Sequence, residues 1–210
     1  MVRNKAPVIG IVVDNVDMLP RLSLIAECHG GKPIPVTAAG DARPVSDADG
    51  MGGLLCVSGH TPVVELLLRS ALERDMPILA IGMGLQALNL AMGGAQATTV
   101  QGHGSDRNED GEEASSHRIY ISPGSKLAAT LGSGGFVTVN SQHSLGLFEA
   151  QKSSQLLASA YSIEDGVIEA VESTGHEWVM GVQFHPERKL HVPPRFDRLF
   201  SSLVDRSAHS

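Results

Sequence analysis

The stretch Met76-Pro77-Ile78-Leu79-Ala80-Ile81-Gly82-Met83-Gly84-Leu85-Gln86 restricts this chain more than any other. An apolar run ends at a Gly-x-Gly, and apolar residues resume at Leu85, Leu88 and Ala91 or Met92, near helical spacing. That pattern describes a buried strand handed over a tight turn into a helix, the outline of a nucleophile elbow. The residue at the tip of such a turn exposes its side chain, with backbone amides and a helix N-terminus in reach of a developing oxyanion. The tip here is Gly82, which offers no atom to attack with. An elbow holds a strained backbone that glycine adopts at little cost, so glycine is the residue expected once catalysis is not required.

Short apolar runs alternate with helical patterns along the rest of the chain, which argues for an α/β fold with a largely parallel sheet. Strands are expected at 7–13, 33–37, 53–57, 77–81, 117–121, 136–140, 156–161, 167–172 and 178–183. Helices are expected at 18–29, 63–74, after the elbow, and at 194–206, the first stopped by Gly30-Gly31. In the second, Val63, Leu66, Leu67 and Ala71 are assigned to the apolar face. With 210 residues, 42% of them hydrophobic, the chain fits one domain over 1–210 with a substantial core. Residues 102–116 are polar, acidic and glycine-rich, and are expected to form a mobile loop.

A net charge of −7 without a basic stripe argues against a nucleic-acid partner. Met1-Val2-Arg3-Asn4-Lys5 leads directly into an apolar strand too brief for a signal-peptide core or a membrane span, so no membrane partner is expected. Cys28 and Cys56 lie in apolar segments and not in paired or metal-ligand spacing, and a reduced, cytoplasmic setting is the expectation. Cys56 is expected to point into packing, Cys28 to occupy an apolar helix position, and neither to replace the missing nucleophile. His60, His103, His117, His143 and His185 show no His-x-x-x-His pattern, so no metal is expected.

Four stretches carry a family resemblance: Pro7-Val8-Ile9-Gly10-Ile11, the elbow from Pro77 to Gln86, Val139-Asn140-Ser141-Gln142-His143, and Gly166-Val167-Ile168-Glu169-Ala170-Val171-Glu172 followed by Gly181-Val182-Gln183-Phe184-His185-Pro186-Glu187. Together they resemble the class I glutamine amidotransferase-like family, in its γ-glutamyl-γ-aminobutyrate hydrolase (peptidase C26) branch. The resemblance implies a three-layer, flavodoxin-like fold with a mainly parallel sheet flanked by helices, and a Cys-His-Glu triad. In that triad the thiolate attacks a γ-glutamyl amide, the histidine moves the proton and the glutamate orients the imidazole. His185 and Glu187 match the last two members and would face the same side if both lay on a strand, while Gly82 stands at the cysteine's position.

By the same resemblance, the oxyanion donors are the amide of Met83 and an amide of the Ser58-Gly59 turn, where Ser58 replaces a glycine. Gln86 and His143 match residues near the pocket. The polar segment 102–116 and the short passage after Ser58-Gly59-His60-Thr61-Pro62 depart from the family and flank the pocket, so the relatives' substrate does not transfer. No cofactor is implied. Two readings stay open: a non-catalytic pseudoenzyme that binds a small γ-glutamyl-like ligand or regulates a protein partner, and a hydrolase in which His185 activates water.

Overall fold

The structure is a computed structural model that describes residues 6–37, 50–104 and 116–209. Its strands are β1 (Val8–Val13), β2 (Lys32–Thr37), β3 (Gly53–Cys56), β4 (Ile78–Ile81), β5 (Thr98–Thr99), β6 (Ser116–Ile121), β7 (Gly135–Asn140), β8 (Leu145–Gly146), β9 (Leu156–Ser162), β10 (Ile168–Ser173) and β11 (Val179–Val182). Its α-helices are α1 (Leu19–Cys28), α2 (Pro62–Glu73), α3 (Met83–Ala91), α4 (Lys126–Leu131) and α5 (Arg198–Ser207).

The main sheet runs in the order β2-β1-β3-β4-β11-β10-β9-β6-β7. Its pairings are parallel from β2 through β11, and an antiparallel meander of β10, β9, β6 and β7 extends it. The parallel strands β3 and β4 are buried along their whole length, as strands covered on both faces must be. Strand β6 alternates exposed and buried residues, the signature of a sheet with one wet face. Apolar side chains of α1, α4 and α5 form one core with Ile9, Ile11 and Val13. Those of α2 and α3 form a second core with Val12, Leu54 and Cys56 on the other face. The result is the expected three-layer α/β arrangement.

Local chemistry explains the boundaries. The Thr61 hydroxyl accepts a hydrogen bond from the Val64 amide at 3.2 Å and Pro62 fills the first turn, which starts α2. The buried face of α2 is Val64, Leu67, Leu68 and Ala71, and Leu66 is 63% exposed, so the face assigned from the sequence is rotated by about one residue. The set beginning at Val64 completes i, i+3, i+4, i+7 with apolar residues, whereas the set beginning at Val63 reaches Ser70. Helix α4 was not expected from the sequence. It is short, capped by the Ser125 hydroxyl accepting from Ala128 N at 3.0 Å, and stopped by Gly132 in the left-handed region.

Most of the segment expected to be a mobile loop, residues 105–115, lies outside the described residues. His103, which the sequence places in that loop, is buried at 3% exposure. Cys56 is buried as expected, and Cys28 is exposed on α1 instead of facing the core. Among the described residues no helix is long and apolar enough to cross a membrane.

Candidate active site

Adjacent parallel strands end at one level, and ligands of open α/β sheets bind beyond those carboxyl ends. Here β3, β4 and β11 are neighbours, so the residues that follow each of them meet. Gly82 follows β4, its amide donating to Val182 O at 2.8 Å, and begins α3. Its φ of 58° and ψ of −118° fall in a region that strains any side-chain-bearing residue. Gly84 lets α3 approach β3 closely, because a Cβ there would collide with the Cys56 carbonyl.

After β11 the chain continues through Gln183 and Phe184 to His185. Phe184 is fully buried and packs edge-on against Phe196, with ring centroids 5.1 Å apart. Asn140 clamps the backbone of His185 from both sides: its Nδ2 donates to His185 O at 2.9 Å, and its Oδ1 accepts from His185 N at 2.8 Å. The ring that results lies against the elbow. A Cβ built on Gly82 would stand 3.0 Å from His185 Cε1 and 3.2 Å from Nε2.

His185 Nδ1 lies 2.7 Å from Glu187 Oε1. A carboxylate only accepts, so this contact places the proton on Nδ1 and leaves Nε2 as the basic nitrogen facing Gly82. The pair does not sit on a strand, as the sequence suggested. Strand β11 stops at Val182, and a turn through Pro186 brings Glu187 back to the ring. The second carboxylate oxygen of Glu187 is buried without a hydrogen-bond partner.

The Ser58-Gly59 turn reaches the site but is engaged within the protein. Asp14, just past β1, accepts from Gly59 N at 2.7 Å and from the Ser58 hydroxyl. The turn was expected to offer an amide to an oxyanion; its Gly59 amide already meets an anion, and the Asp14 charge opposes a second one nearby. Asp14 was not singled out in the sequence, since it gains meaning only when β1 is placed beside β3. Met83 contributes the first amide of α3, which has no acceptor within its own helix. Its side chain is 53% exposed.

A cavity of about 250 Å³ opens over the elbow, lined among others by Gly82, Met83, Gln86, His143, Gln183 and His185. Gln86 donates to Gln183 Oε1 at 3.2 Å and to Leu145 O at 3.3 Å, which joins α3 to the cavity's far wall. Ser58, Gly59, Met83, Gln86, His143, His185 and Glu187 thus lie together beyond the carboxyl ends of the central parallel strands. Cys56, by contrast, is held as a thiol by burial, which with the Asp14 charge outweighs the opposing effect of the Ser58 backbone and pushes its pKa up to about 12. It supplies no thiolate at neutral pH.

Beside the cavity, His143 turns its Nε2 toward His103, His117 and Glu169. Sequence reasoning missed this grouping, because its members stand far apart along the chain and show no metal-ligand spacing.

Comparison with known proteins places the chain. Its fold is that of the class I glutamine amidotransferases. It superposes on the glutaminase domain of Trypanosoma brucei CTPS with a TM-score of 0.72 at 17% identity, covering 97% of this chain and 94% of that one. It superposes on a glutamine amidotransferase of Thermotoga maritima with a TM-score of 0.67 at 12% identity, covering 98% and 100%. The sequence profile of the Peptidase C26 family matches residues 63–187, and the chain belongs to that family. It is 36% identical over 129 residues to the γ-glutamyl-γ-aminobutyrate hydrolase PuuD of Escherichia coli K12, covering 58% of this chain and 50% of that protein. It is 35% identical over 145 residues to the Mycobacterium tuberculosis protein Rv2859c, covering 68% and 44%. The chain thus spans about half the length of the curated relatives it matches.

Proposed function

We propose that this chain is a non-catalytic member of its family, a pseudoenzyme that uses the cavity over the elbow to bind a small molecule bearing a γ-glutamyl-like amide or carboxylate. The observation that carries this reading is the pairing of an oriented base with a tip that has no nucleophile. Nε2 of His185 faces the elbow, and the residue there is glycine in a backbone conformation that glycine alone adopts without strain. Covalent amide hydrolysis through a thioester requires a sulfur at that point. Gln183, whose Oε1 is engaged by Gln86, keeps its Nε2 as a donor for a ligand's carbonyl oxygen, and Gln86 keeps its Oε1 as an acceptor for a ligand's N–H. Asp14 on the Gly59 amide makes the oxyanion site a poor host for a tetrahedral intermediate. The binding protein acts in the cytoplasm, alone or as a regulator of a protein partner.

The test is covalent labelling with a diazo-ketone analogue of glutamine, read by intact-protein mass. The native chain is expected to take up none. Gly82→Cys places a thiol against His185 and is expected to recover weak labelling, which His185→Ala in the same background lowers about 100-fold, the scale of a lost general base. Labelling of the native chain would sink the proposal.

A second reading has one observation in its favour. Since His185 Nε2 faces open space above Gly82, it is placed to take a proton from water aimed at a bound amide. Turnover of γ-glutamyl amides by the native chain that vanishes in His185→Ala would establish that reading.

A further inference from the structure

His103, His117, His143 and Glu169 each offer one ligand atom, and these atoms all lie within 4.8 Å of one another. Their side chains are 4%, 4%, 6% and 0% exposed. The geometry points to a structural site for one zinc-type divalent cation, bound by three imidazole nitrogens and one oxygen of Glu169.

The distances are those of a coordination shell. Neighbouring ligand atoms in a tetrahedron with bonds of about 2.0–2.1 Å stand about 3.3–3.4 Å apart. His103 Nδ1 lies 3.1 Å from His143 Nε2 and 3.7 Å from Glu169 Oε1. His117 Nε2 and His143 Nε2 lie 3.2 and 3.4 Å from the same oxygen. Despite that closeness, both oxygens of Glu169 and both ring nitrogens of His117 are buried without a directed hydrogen bond. Groups that converge on a common centre, and not on each other, leave this pattern.

The outer contacts fix which nitrogens are bare. His103 Nε2 lies 2.8 Å from Asp165 Oδ2, and His143 Nδ1 lies 2.9 Å from Leu145 O. Both partners only accept, so both of those nitrogens carry the proton. In the neutral rings His103 Nδ1 and His143 Nε2 then present lone pairs to each other and to a carboxylate. A cation between them resolves the repulsion. Metal-bound histidines are oriented in this way, by a carboxylate or carbonyl on the far nitrogen. Glu169 and Asp165 together balance a divalent charge. Three nitrogens and one oxygen suit zinc or cobalt better than magnesium or calcium, which take oxygen shells.

With four protein ligands the shell is closed, so the ion's role is structural. It would cross-link the segment ending at Gly104, β6, the loop before β8, and β10. Leu145 O accepts from both His143 and Gln86, so the same ion would brace the wall of the ligand cavity.

The experiment uses the chain purified without an affinity tag. Its metal content is measured as isolated, and the chelator-stripped chain is then titrated with Co²⁺ and followed by visible absorption and circular dichroism. The expected result is one equivalent of zinc as isolated, or one equivalent of Co²⁺ bound with a tetrahedral spectrum and displaced by Zn²⁺. His117→Asn and Glu169→Gln should abolish that spectrum. Asp165→Asn, which alters only an outer contact and so spares the fold, should weaken affinity about 10–100-fold. A folded, stripped native chain that shows no tetrahedral cobalt spectrum would overturn the assignment. A spectrum unchanged in both His117→Asn and Asp165→Asn would also overturn it, by placing the ion on surface histidines. If the stripped chain does not stay folded, the metal content as isolated decides, and its absence overturns the site.

Discussion

His185 and His143 stand on the walls of one cavity and are held there in different ways. His185 is oriented by Glu187, two residues later, and faces an elbow on the next parallel strand. His143 is oriented by Leu145 on one side and on the other meets His103, forty positions away, and Glu169 on β10. The first arrangement belongs to the parallel half of the sheet, where strands end together and short motifs follow them. The second belongs to the antiparallel half, where hairpins and bulges fold distant residues onto one point. A site of the first kind is written in contiguous residues. A site of the second kind exists only as a product of register.

The comparison can be broken at its most costly point first. Glu169→Gln keeps the shape of the buried side chain and removes the charge that faces His103, His117 and His143. Stripping one partner from a buried charged group costs about 3–5 kcal/mol, so chemical denaturation should show a loss of that size. A loss below about 1 kcal/mol, the worth of an exposed pair, would show that the cluster contributes little to the antiparallel half.

The parallel half has its own weak point at Gly84, where a Cβ would collide with the Cys56 carbonyl. Gly84→Ala has to push α3 away from β3, and overpacking of this kind costs about 1–3 kcal/mol. Its thermal midpoint should fall clearly, and ligand binding should weaken with it, because Gly82 and Gln86 move with the helix. If stability falls while binding holds, the cavity is less dependent on the elbow than the structure implies.

Gly82→Cys tests whether the tip of the elbow tolerates a side chain. Its backbone strain predicts a cost of about 1–3 kcal/mol, readable by denaturant titration. An unaltered stability would mean that the turn relaxes around a side chain, and any recovered labelling would then owe nothing to a preserved elbow.

The smallest effect concerns the two cysteines. With its pKa pushed up to about 12 by burial, Cys56 stays a thiol at pH 7–9 and should resist iodoacetamide in the folded chain. Exposed Cys28 should react, giving one adduct by mass. Modification of Cys56 at pH 8 would reveal opening of the strand beside the site.

Much of the parallel half was legible before any coordinates. The runs at Val8–Val13 and Ile78–Ile81 are apolar throughout, which marks strands covered on both faces, and Gly82 and Gly84 mark the turn. The motif ending in His185-Pro186-Glu187 located the histidine and the carboxylate that pairs with it, although the contact arises from a turn and not from a strand. The face of α2 was misplaced because two overlapping apolar stripes compete there, and only packing against α3 selects Val64, Leu67, Leu68 and Ala71. The role of Asp14 was hidden for a related reason: nothing in its neighbourhood along the chain points to Gly59, which lies 45 positions away.

What the amino-acid sequence determined by itself, then, is the family, the α/β layering and the identity of the residue at the elbow. Each of these rests on local periodicity or on a short contiguous motif, and local sterics and hydrophobic patterning act at that range. The tertiary structure alone decided that Asp14 meets the Gly59 amide, that Asn140 clamps His185, and that three histidines converge on Glu169. Those outcomes depend on strand order and register, which bring side chains within 4 Å across dozens of intervening residues. No spacing in the chain encodes them, because the distance along the backbone between such residues is fixed by the length of loops, and loop length is weakly constrained by free energy.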